Sequence, residues 1–200
     1  MDAAPPTRPV VNIVGVRTAL GPVHRDLYPA YQRWLNDFAT LRTMNITPAP
    51  LTAEQAAADV EHDRAGGNHV LFVVYETASW RPIGAGGWSD IDWRNRTADL
   101  VLAIWEPVFR GRGHGTEATR LLLDHAFTAL GLHSAALRVD EFNLAGIRAY
   151  RKAGFRECGR RRQCQSMGGR LWDVIYMEGL AREFVSPILG RVFVPDAPRA

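Results

Sequence analysis

A glycine-rich stretch at residues 110–116, RGRGHGT, constrains the fold of this chain more than any other segment. Three glycines occupy every second position in it, and glycine at that density costs backbone entropy and contributes no side-chain packing. Residues 96–105 before it, RTADLVLAIW, have the pattern of a strand, and residues 115–130 after it have the pattern of a helix. A strand therefore leads into a helix through a glycine-rich turn, in which backbone groups are not covered by side chains.

Such a turn predicts an anion-binding site. The first N–H groups of a helix have no partner within the helix, and together with the helix dipole they favour a negative charge at the turn. Glycines keep Cβ atoms from holding the anion away from the backbone, and Arg110 and Arg112 add positive charge. We therefore expect a pyrophosphate to bind here, and a plain glycine-rich loop is the structural alternative.

Two common nucleotide-binding motifs do not fit this turn. A P-loop requires GxxxxGK[ST], and no lysine follows the glycines here. The dinucleotide motif GxGxxG fails because Thr116 stands where the third glycine would be and no βαβ unit encloses the turn. The expected ligand therefore belongs to another class of pyrophosphate compound.

The rest of the chain predicts an α+β fold. Seven stretches have strand patterns, namely 10–22, 69–76, 81–93, 96–105, 134–142, 155–167 and 170–180. Four stretches have helical patterns, namely 24–42, 51–67, 115–130 and 143–154. We expect a three-layer α/β/α arrangement in which helices pack on a mixed, mostly antiparallel sheet of about seven strands. One domain at 10–185 is expected between tails at 1–9 and 186–200.

Composition narrows the class of protein and leaves the ligand open. The 200 residues suit one domain, and neither a long apolar run nor a signal peptide is found, so we expect a cytoplasmic protein without a membrane partner. The net charge of +3 fits an anionic ligand and nucleic acid equally well. Cys158 and Cys164 do not have CxxC spacing, so we expect no metal site, and we expect no disulfide between them in a cytoplasmic protein.

Two blocks of the sequence resemble the GNAT acetyltransferases. RGRGHG at 110–115 fits the [QR]-x-x-G-x-[GA] signature of that family, and NLAGIRAYRKAGF at 143–155 resembles its N-x-x-[AS]-x-x-x-Y-x-K-x-G-F block, with Gly146 as a variant of the small-residue position. YQRWLND at 31–37 and DVIYMEGLAREF at 173–184 further resemble the branch that includes ribosomal-protein N-terminal acetyltransferases. The resemblance covers roughly residues 10–185.

The resemblance implies that acetyl-CoA is the co-substrate and that its pyrophosphate binds at the turn. It also implies a sheet that splits between the fourth and fifth predicted strands, with a backbone N–H on the fourth strand as the oxyanion donor. The cofactor-binding residues expected on this basis are Ala103, Ile104, Trp105, Arg110, Gly111, Arg112, Gly113, His114, Gly115, Thr116, Asn143 and Tyr150. His114 is expected to have no catalytic role.

The leaving thiolate requires a proton, and Tyr150 is the expected donor. Asn143 and Tyr150 are seven residues apart, so they share one face of a helix. A tyrosine is protonated at neutral pH and can serve as a general acid. The resemblance places the matching tyrosine beside the sulfur of CoA and the matching asparagine beside its pantetheine arm. The structural alternative for Tyr150 is a core aromatic on an amphipathic helix.

The base that deprotonates the amine is left open among several acids. Asp99 lies where many GNAT members carry a glutamate, and the shorter side chain favours a water relay. Glu106 ends the same strand, while Asp140 and Glu141 end the next strand. Each of them could bind a cationic substrate instead, and the enzyme could also use the small free-amine fraction without a dedicated base.

The sequence does not identify the amine that accepts the acetyl group. A protein N-terminus fits the resemblance, and an aminoglycoside or a polyamine is the alternative, since acids at 37, 90, 92, 140 and 141 could line a pocket for a cation. A non-catalytic acyl-CoA-binding module is a further alternative. Arg160–Arg162 lack accompanying aromatic residues, so we do not expect a nucleic-acid partner. The apolar tail after Phe184 could complete the site or a homodimer interface.

Overall fold

The computed structural model describes residues 8–44, 46 and 48–196. Within these residues a single sheet has eight strands in the order β1-β2-β3-β4-β5-β6-β8-β7. The strands are β1 Ile13–Val14, β2 Thr18–Pro22, β3 Val70–Glu76, β4 Pro82–Asp92, β5 Thr97–Ile104, β6 Ser134–Asp140, β7 Arg156–Met167 and β8 Arg170–Leu180. Neighbours pair antiparallel except β5 and β6, which pair parallel. The mixed, mostly antiparallel sheet is confirmed.

The sheet has one strand more than expected because the first predicted strand folds back on itself. Ile13 pairs with Leu20, and the Gly15 N–H donates to the Thr18 carbonyl at 2.8 Å. The stretch at 10–22 was expected to form one strand, and it forms β1, a tight turn and β2. Its β-branched residues do not reveal the reversal, since Gly15 is the one local indication of a turn.

Helices lie on both faces of the sheet, which confirms the three-layer prediction. The α-helices are α1 Tyr28–Leu35, α2 Phe38–Leu41, α3 Ala53–Ala65, α4 His114–Asp124 and α5 Leu144–Ala153. Leu121 of α4 and Ile147 of α5 belong to the core on one face. Trp34 of α1 and Val60 of α3 belong to the core on the other face. None of the described helices is long and apolar enough to cross a membrane.

The helix predicted at 24–42 is divided, and the division matters for the site. Pro29 lies in the first turn of α1, where a missing N–H costs nothing, and Asn36 ends that helix. Asp37 then begins the short α2 by accepting a hydrogen bond from the Ala39 N–H at 3.2 Å. The break directs residues 39–44 towards the glycine-rich turn.

The other predicted helices keep their expected starts. Thr52 and Gln55 form a capping box at the start of α3. The Asn143 side chain caps α5 by accepting from the Gly146 N–H at 3.0 Å. Helix α4 continues after Asp124 as a π-helical turn at His125–Ala129, which was expected to be ordinary helix.

The sheet splits where the resemblance predicted, between β5 and β6. The two strands pair only from Thr97 to Asp99, opposite Ser134 to Ala136. Beyond Asp99 they diverge, so that the second half of β5 has β4 on one side and an open gap on the other. The glycine-rich turn and the start of α4 lie at the end of this gap.

The C-terminal segment is attached to the core as far as the structure describes it. Asp124 is fully buried, and its carboxylate accepts hydrogen bonds from the N–H groups of Ile188 and Leu189 at 3.0 and 2.9 Å. The Ser186 hydroxyl also donates to it. The expected domain boundaries at 9 and 185 stay predictions, and residues 1–7 and 197–200 lie outside the described part.

Candidate active site

The glycine-rich turn has the backbone that an anion site requires. Gly111 and Gly113 have φ values of +72° and +91°, a region that favours glycine. Gly113 is the N-cap of α4, and no side chain of the described residues caps that helix. A Cβ atom built on Gly111 would have nothing within 4 Å. The first N–H groups of α4 therefore have no side-chain cap among the described residues, and the turn beside them has room for a ligand.

A cavity of about 390 Å³ lies in the gap between β5 and α5. One wall is formed by Leu102–Ile104 and the other by residues 143–152 of α5, with the glycine-rich turn at one end and residues 39–44 as a cover. Its charged lining residues among those described are all cationic, namely Arg42, Arg110, Arg148 and Lys152. A cavity with four cations and no carboxylate in its lining suits an anionic ligand.

The open edge of β5 presents backbone donors to this cavity. The Trp105 N–H donates to the Ile83 carbonyl on β4 at 2.8 Å. Because successive residues of a strand point their N–H groups to opposite sides, those of Leu102 and Ile104 point towards the gap. Of the three residues expected to supply the oxyanion donor, Ile104 is therefore the one with this orientation.

Arg110 makes contacts that the sequence did not indicate. Its guanidinium donates to the carbonyls of Ile104 at 2.8 Å and Trp105 at 2.9 Å, and to the Thr40 hydroxyl at 2.9 Å. These acceptors are neutral, and the side chain joins the end of β5 to α2, where it is close enough to the Asp37 carboxylate to lower the pKa of that group. Arg110 was expected to act through its charge alone, and the structure adds this positioning of the strand end.

The other members of the turn differ in what they present to the cavity. Gly111, Gly113, Gly115 and Thr116 line it, whereas Arg112 is exposed and lies outside the lining. The His114 ring is buried with 6% of its surface exposed and packs edge-on against Phe109 with centroids 5.5 Å apart. The His114 side chain is thus turned into the protein, so only its backbone belongs to the turn.

Tyr150 and Asn143 both line the cavity from α5, as their shared face predicts. The Tyr150 ring also packs on the core, with its centroid 6.2 Å from that of Phe155. Burial raises the pKa of the Tyr150 hydroxyl to about 12, so the group is protonated at neutral pH. Tyr150 therefore makes the core contact and lines the cavity as well, and its role as a proton donor stays a prediction.

The candidate bases lie outside the cavity lining. Glu106 accepts from Trp34 Nε1 at 2.9 Å and from Arg33 at 3.3 Å. Glu141 accepts from the Asp173 N–H at 2.9 Å and from Arg160 at 3.1 Å. These carboxylates hold neighbouring segments together.

The carboxyls of Asp99 and Asp140 each have a raised pKa. Burial raises the pKa of Asp99, while Arg138 lowers it and Asp90 raises it further. Asp140 is 4% exposed, burial raises its pKa, and its Oδ2 atom has no hydrogen-bond partner among the described residues. Asp99 precedes Ile104 by five residues, which is about 16 Å along an extended strand. A direct contact of Asp99 with a group bound at Ile104 is therefore excluded by its position, and its role as a base stays a prediction.

Sequence reasoning missed the cover of the cavity. Ala39, Thr40, Arg42, Thr43 and Met44 line it, although they are about 70 residues from the glycine-rich turn along the chain. The cap formed by Asp37 is a local signal for the start of α2, but nothing local indicates what the helix packs against.

Comparison with known proteins agrees with this geometry. Residues 17–156 match the sequence model of a family described as acetyltransferase (GNAT) domain. An uncharacterized N-acetyltransferase, p20, of Bacillus licheniformis is 28% identical over 158 residues, which cover 76% of this chain and 86% of that protein. Spermidine N(1)-acetyltransferase of Escherichia coli K12 is 38% identical over 96 residues, or 48% of this chain and 46% of that protein.

A solved structure shows the same fold. It is a spermidine N-acetyltransferase from Vibrio cholerae in complex with CoA and spermine, with a TM-score of 0.77 and 22% sequence identity. The match covers 84% of this chain and 97% of that one.

Proposed function

The chain belongs to the GNAT acetyltransferases, and on that premise we propose which of its residues bind the donor and act on the acceptor. It is an N-acetyltransferase that takes its acetyl group from acetyl-CoA and transfers it to a primary amine. The observation that carries the residue roles is the cationic cavity at the split of the sheet, which ends at an uncapped helix N-terminus.

The residues present fit acetyl-CoA. The glycine-rich turn and the first N–H groups of α4 would hold its pyrophosphate, and the N–H groups on the open edge of β5, with Asn143, would hold its pantetheine arm. When bound, acetyl-CoA supplies an acetyl group activated as a thioester. The Ile104 N–H is the proposed donor to the oxygen that becomes negative as the amine attacks.

Tyr150 is the proposed general acid. The residue lines the cavity from α5, and the raised pKa of its hydroxyl, about 12, keeps that group protonated at the pH of the reaction. A thiolate that leaves in a partly buried cavity gains more from a nearby proton donor than one in water does. The side chain is held by the core around Phe155, which fixes its orientation.

Asp99, acting through water, is the proposed base, with Asp140 as the competing candidate. Both carboxyls have a raised pKa, which makes each a stronger base once it is ionised. Glu106 is proposed to be a structural residue, because Arg33 and Trp34 already occupy its Oε1 atom. The observation that would favour Asp140 is a loss of the acid limb of the pH–rate profile in Asp140→Asn but not in Asp99→Asn.

The proposed acceptor is a small-molecule amine, and a polyamine is the first candidate. Two relatives described above are spermidine acetyltransferases. The carboxyls of Asp90 and Asp99 lie close enough for the first to raise the pKa of the second, and Arg138 compensates part of their charge, so the pair is proposed to attract one end of a polycation. A protein N-terminus, as in the branch that the sequence resembles, is the second candidate.

A thiol-release assay with acetyl-CoA would test the acceptor. The panel should contain spermidine, spermine, aminoglycosides and short peptides with free N-termini. We expect turnover of spermidine with a kcat/KM at least about tenfold above that of any peptide, since one additional hydrogen bond to a charged group is worth about 1.5–3 kcal/mol. Preferential turnover of peptides would overturn the polyamine proposal and support the second candidate.

We also propose a cytoplasmic homodimer. Val192, Phe193 and Val194 have 64%, 59% and 59% of their surfaces exposed, and these apolar side chains would gain from a partner surface. Light scattering coupled to gel filtration measures the mass directly, and a mass of one chain at micromolar concentration would overturn the dimer.

A further inference from the structure

We propose that Arg17, on the turn between β1 and β2, is a further phosphate-binding residue for the donor, held beside the glycine-rich turn by Glu117. This inference rests on the proposed binding of acetyl-CoA at that turn. Arg17 is remote in sequence and belongs to neither of the blocks that resemble the family.

The side chain of Arg17 lies against the turn. A Cβ atom built on Gly113 would be 3.9 Å from both Cδ and Nε of Arg17. The residue is exposed, and none of the described side chains forms an ion pair with its guanidinium. A guanidinium can bind a phosphate through two parallel hydrogen bonds, and this one has no competing partner.

Glu117 holds the turn that carries Arg17. Its Oε1 atom accepts from the Val16 N–H at 2.8 Å, and its Oε2 atom accepts from the N–H groups of Arg17 and Thr18, both at 2.7 Å. The Thr18 hydroxyl donates to the same Oε2 atom at 2.9 Å. Four hydrogen bonds from one hairpin to one carboxylate fix the position of residues 16–18 relative to α4.

The arrangement also explains how a carboxylate can lie in the first turn of an anion-binding helix. A free glutamate there would repel a phosphate. Glu117 instead directs both oxygens at the hairpin and lies outside the cavity lining, so its charge is stabilised by four donors and by the helix dipole. The carboxylate of Glu117 therefore faces the hairpin, and the charged group that lies beside the glycine-rich turn is the guanidinium of Arg17.

The other side of the hairpin is fixed as well. The Thr77 N–H donates to the Arg17 carbonyl at 3.1 Å, and the Thr77 hydroxyl donates to the Val16 carbonyl at 2.8 Å. The backbone of Arg17 is therefore held from two directions while its side chain stays free. A preorganised backbone with an unpaired cation lowers the entropic cost of binding.

Isothermal titration calorimetry with CoA would test the role of Arg17 directly. We expect Arg17→Ala to raise the Kd for CoA about tenfold, which is a modest loss for a charged hydrogen bond because the site is exposed. The matched control is Arg94→Ala, which removes the same charge at the β4–β5 turn, at the opposite end of these strands. Equal Kd values for the two variants would overturn the proposal.

Kinetics with an acetyl donor that lacks phosphate provide a second test. The ratio of kcat/KM for acetyl-CoA to kcat/KM for acetyl-pantetheine should fall about tenfold in Arg17→Ala and keep its wild-type value in Arg94→Ala. A parallel fall with both donors would show that Arg17 shapes the protein and does not contact phosphate. If the wild-type protein bound no CoA at all, the proposed donor site would be wrong. If the wild-type protein bound CoA and Arg17→Ala bound it equally well, only the proposed role of Arg17 would be wrong.

A double-mutant cycle tests the role of Glu117 as a positioning residue. Glu117→Ala should raise the Kd for CoA in the wild-type background and add little in the Arg17→Ala background, because the two changes remove the same contact. Full additivity would overturn that role. If Glu117→Ala does not fold, Glu117→Gln keeps one acceptor oxygen and should give the same non-additivity at smaller size, with melting temperatures recorded for each variant.

Discussion

The N-termini of α3 and α4 differ in what the first backbone N–H groups of each helix bind. At α3, Thr52 accepts from the Gln55 N–H at 3.2 Å and Gln55 accepts from the Thr52 N–H at 2.9 Å, so the helix satisfies its own end. At α4, a glycine with φ of +91° occupies the N-cap, and its first N–H groups stay available. A capped end stabilises the fold, whereas an uncapped end beside four cations is available to a ligand.

Helix α5 lies between these two cases. Asn143 caps it with its side chain and lines the cavity at the same time. Its contribution to the site therefore comes from side chains, Asn143 and Tyr150, while that of α4 comes mainly from the backbone. The difference predicts which substitutions should affect donor binding, which should affect turnover and which should affect stability alone.

The largest effect is expected from Gly113→Val. A branched side chain at φ of +91° is strained and would fill the turn, so the Kd for CoA should rise about 100-fold or more through the loss of at least two charged hydrogen bonds. Calorimetry measures this. Gly131→Val is the matched control, because Gly131 has φ of +66° after the π-helical turn and should show the strain as a lower melting temperature without the loss of CoA binding.

Tyr150→Phe should lower kcat about 100-fold and leave the Kd for CoA unchanged. The reason is that only the proton donor is removed, while the ring still packs against Phe155. Steady-state kinetics and calorimetry together separate the two quantities. A wild-type kcat would reduce Tyr150 to the core aromatic of the structural alternative, and Tyr75→Phe provides a control for the loss of a hydroxyl from a buried tyrosine on the other face.

Asp99→Asn should remove the acid limb of the pH–rate profile and lower kcat/KM about tenfold at neutral pH. A base must be ionised, so wild-type kcat/KM should fall as the pH drops through the pKa of Asp99, which burial places above that of an exposed aspartate. The measurement is kcat/KM against pH for both proteins. An identical acid limb in the variant points to Asp140, Glu106, Glu141 or the absence of a dedicated base.

Thr52→Ala should have the smallest effect and sharpens the contrast between the two helix ends. Loss of the capping box should lower the free energy of unfolding by about 1 kcal/mol, measured by urea denaturation. The Kd for CoA should stay at the wild-type value, since α3 does not line the cavity. A clear change in that Kd would mean that the two helix ends are coupled through the fold.

The amino-acid sequence by itself determined the parts of this protein whose physics is local. The glycine-rich turn and the starts of the helices at Thr52 and Asn143 depend on a few neighbouring residues, and each forms where the pattern predicts. The shared face of Asn143 and Tyr150 follows from the helical period alone. The split of the sheet was predicted from the resemblance to a known family, because the periodicity of the sequence does not show which strands separate.

Only the tertiary structure decided which distant groups meet. Arg110 joins a hydroxyl 70 residues away to the end of its own strand, and Glu117 binds a hairpin about 100 residues away. Whether Asp99 and Asp140 titrate as ordinary acids likewise depends on the strands that bury them. A local pattern fixes the backbone and the face of an element, but hydrogen bonds and desolvation depend on what packs against that face, and this is settled by the folded chain as a whole.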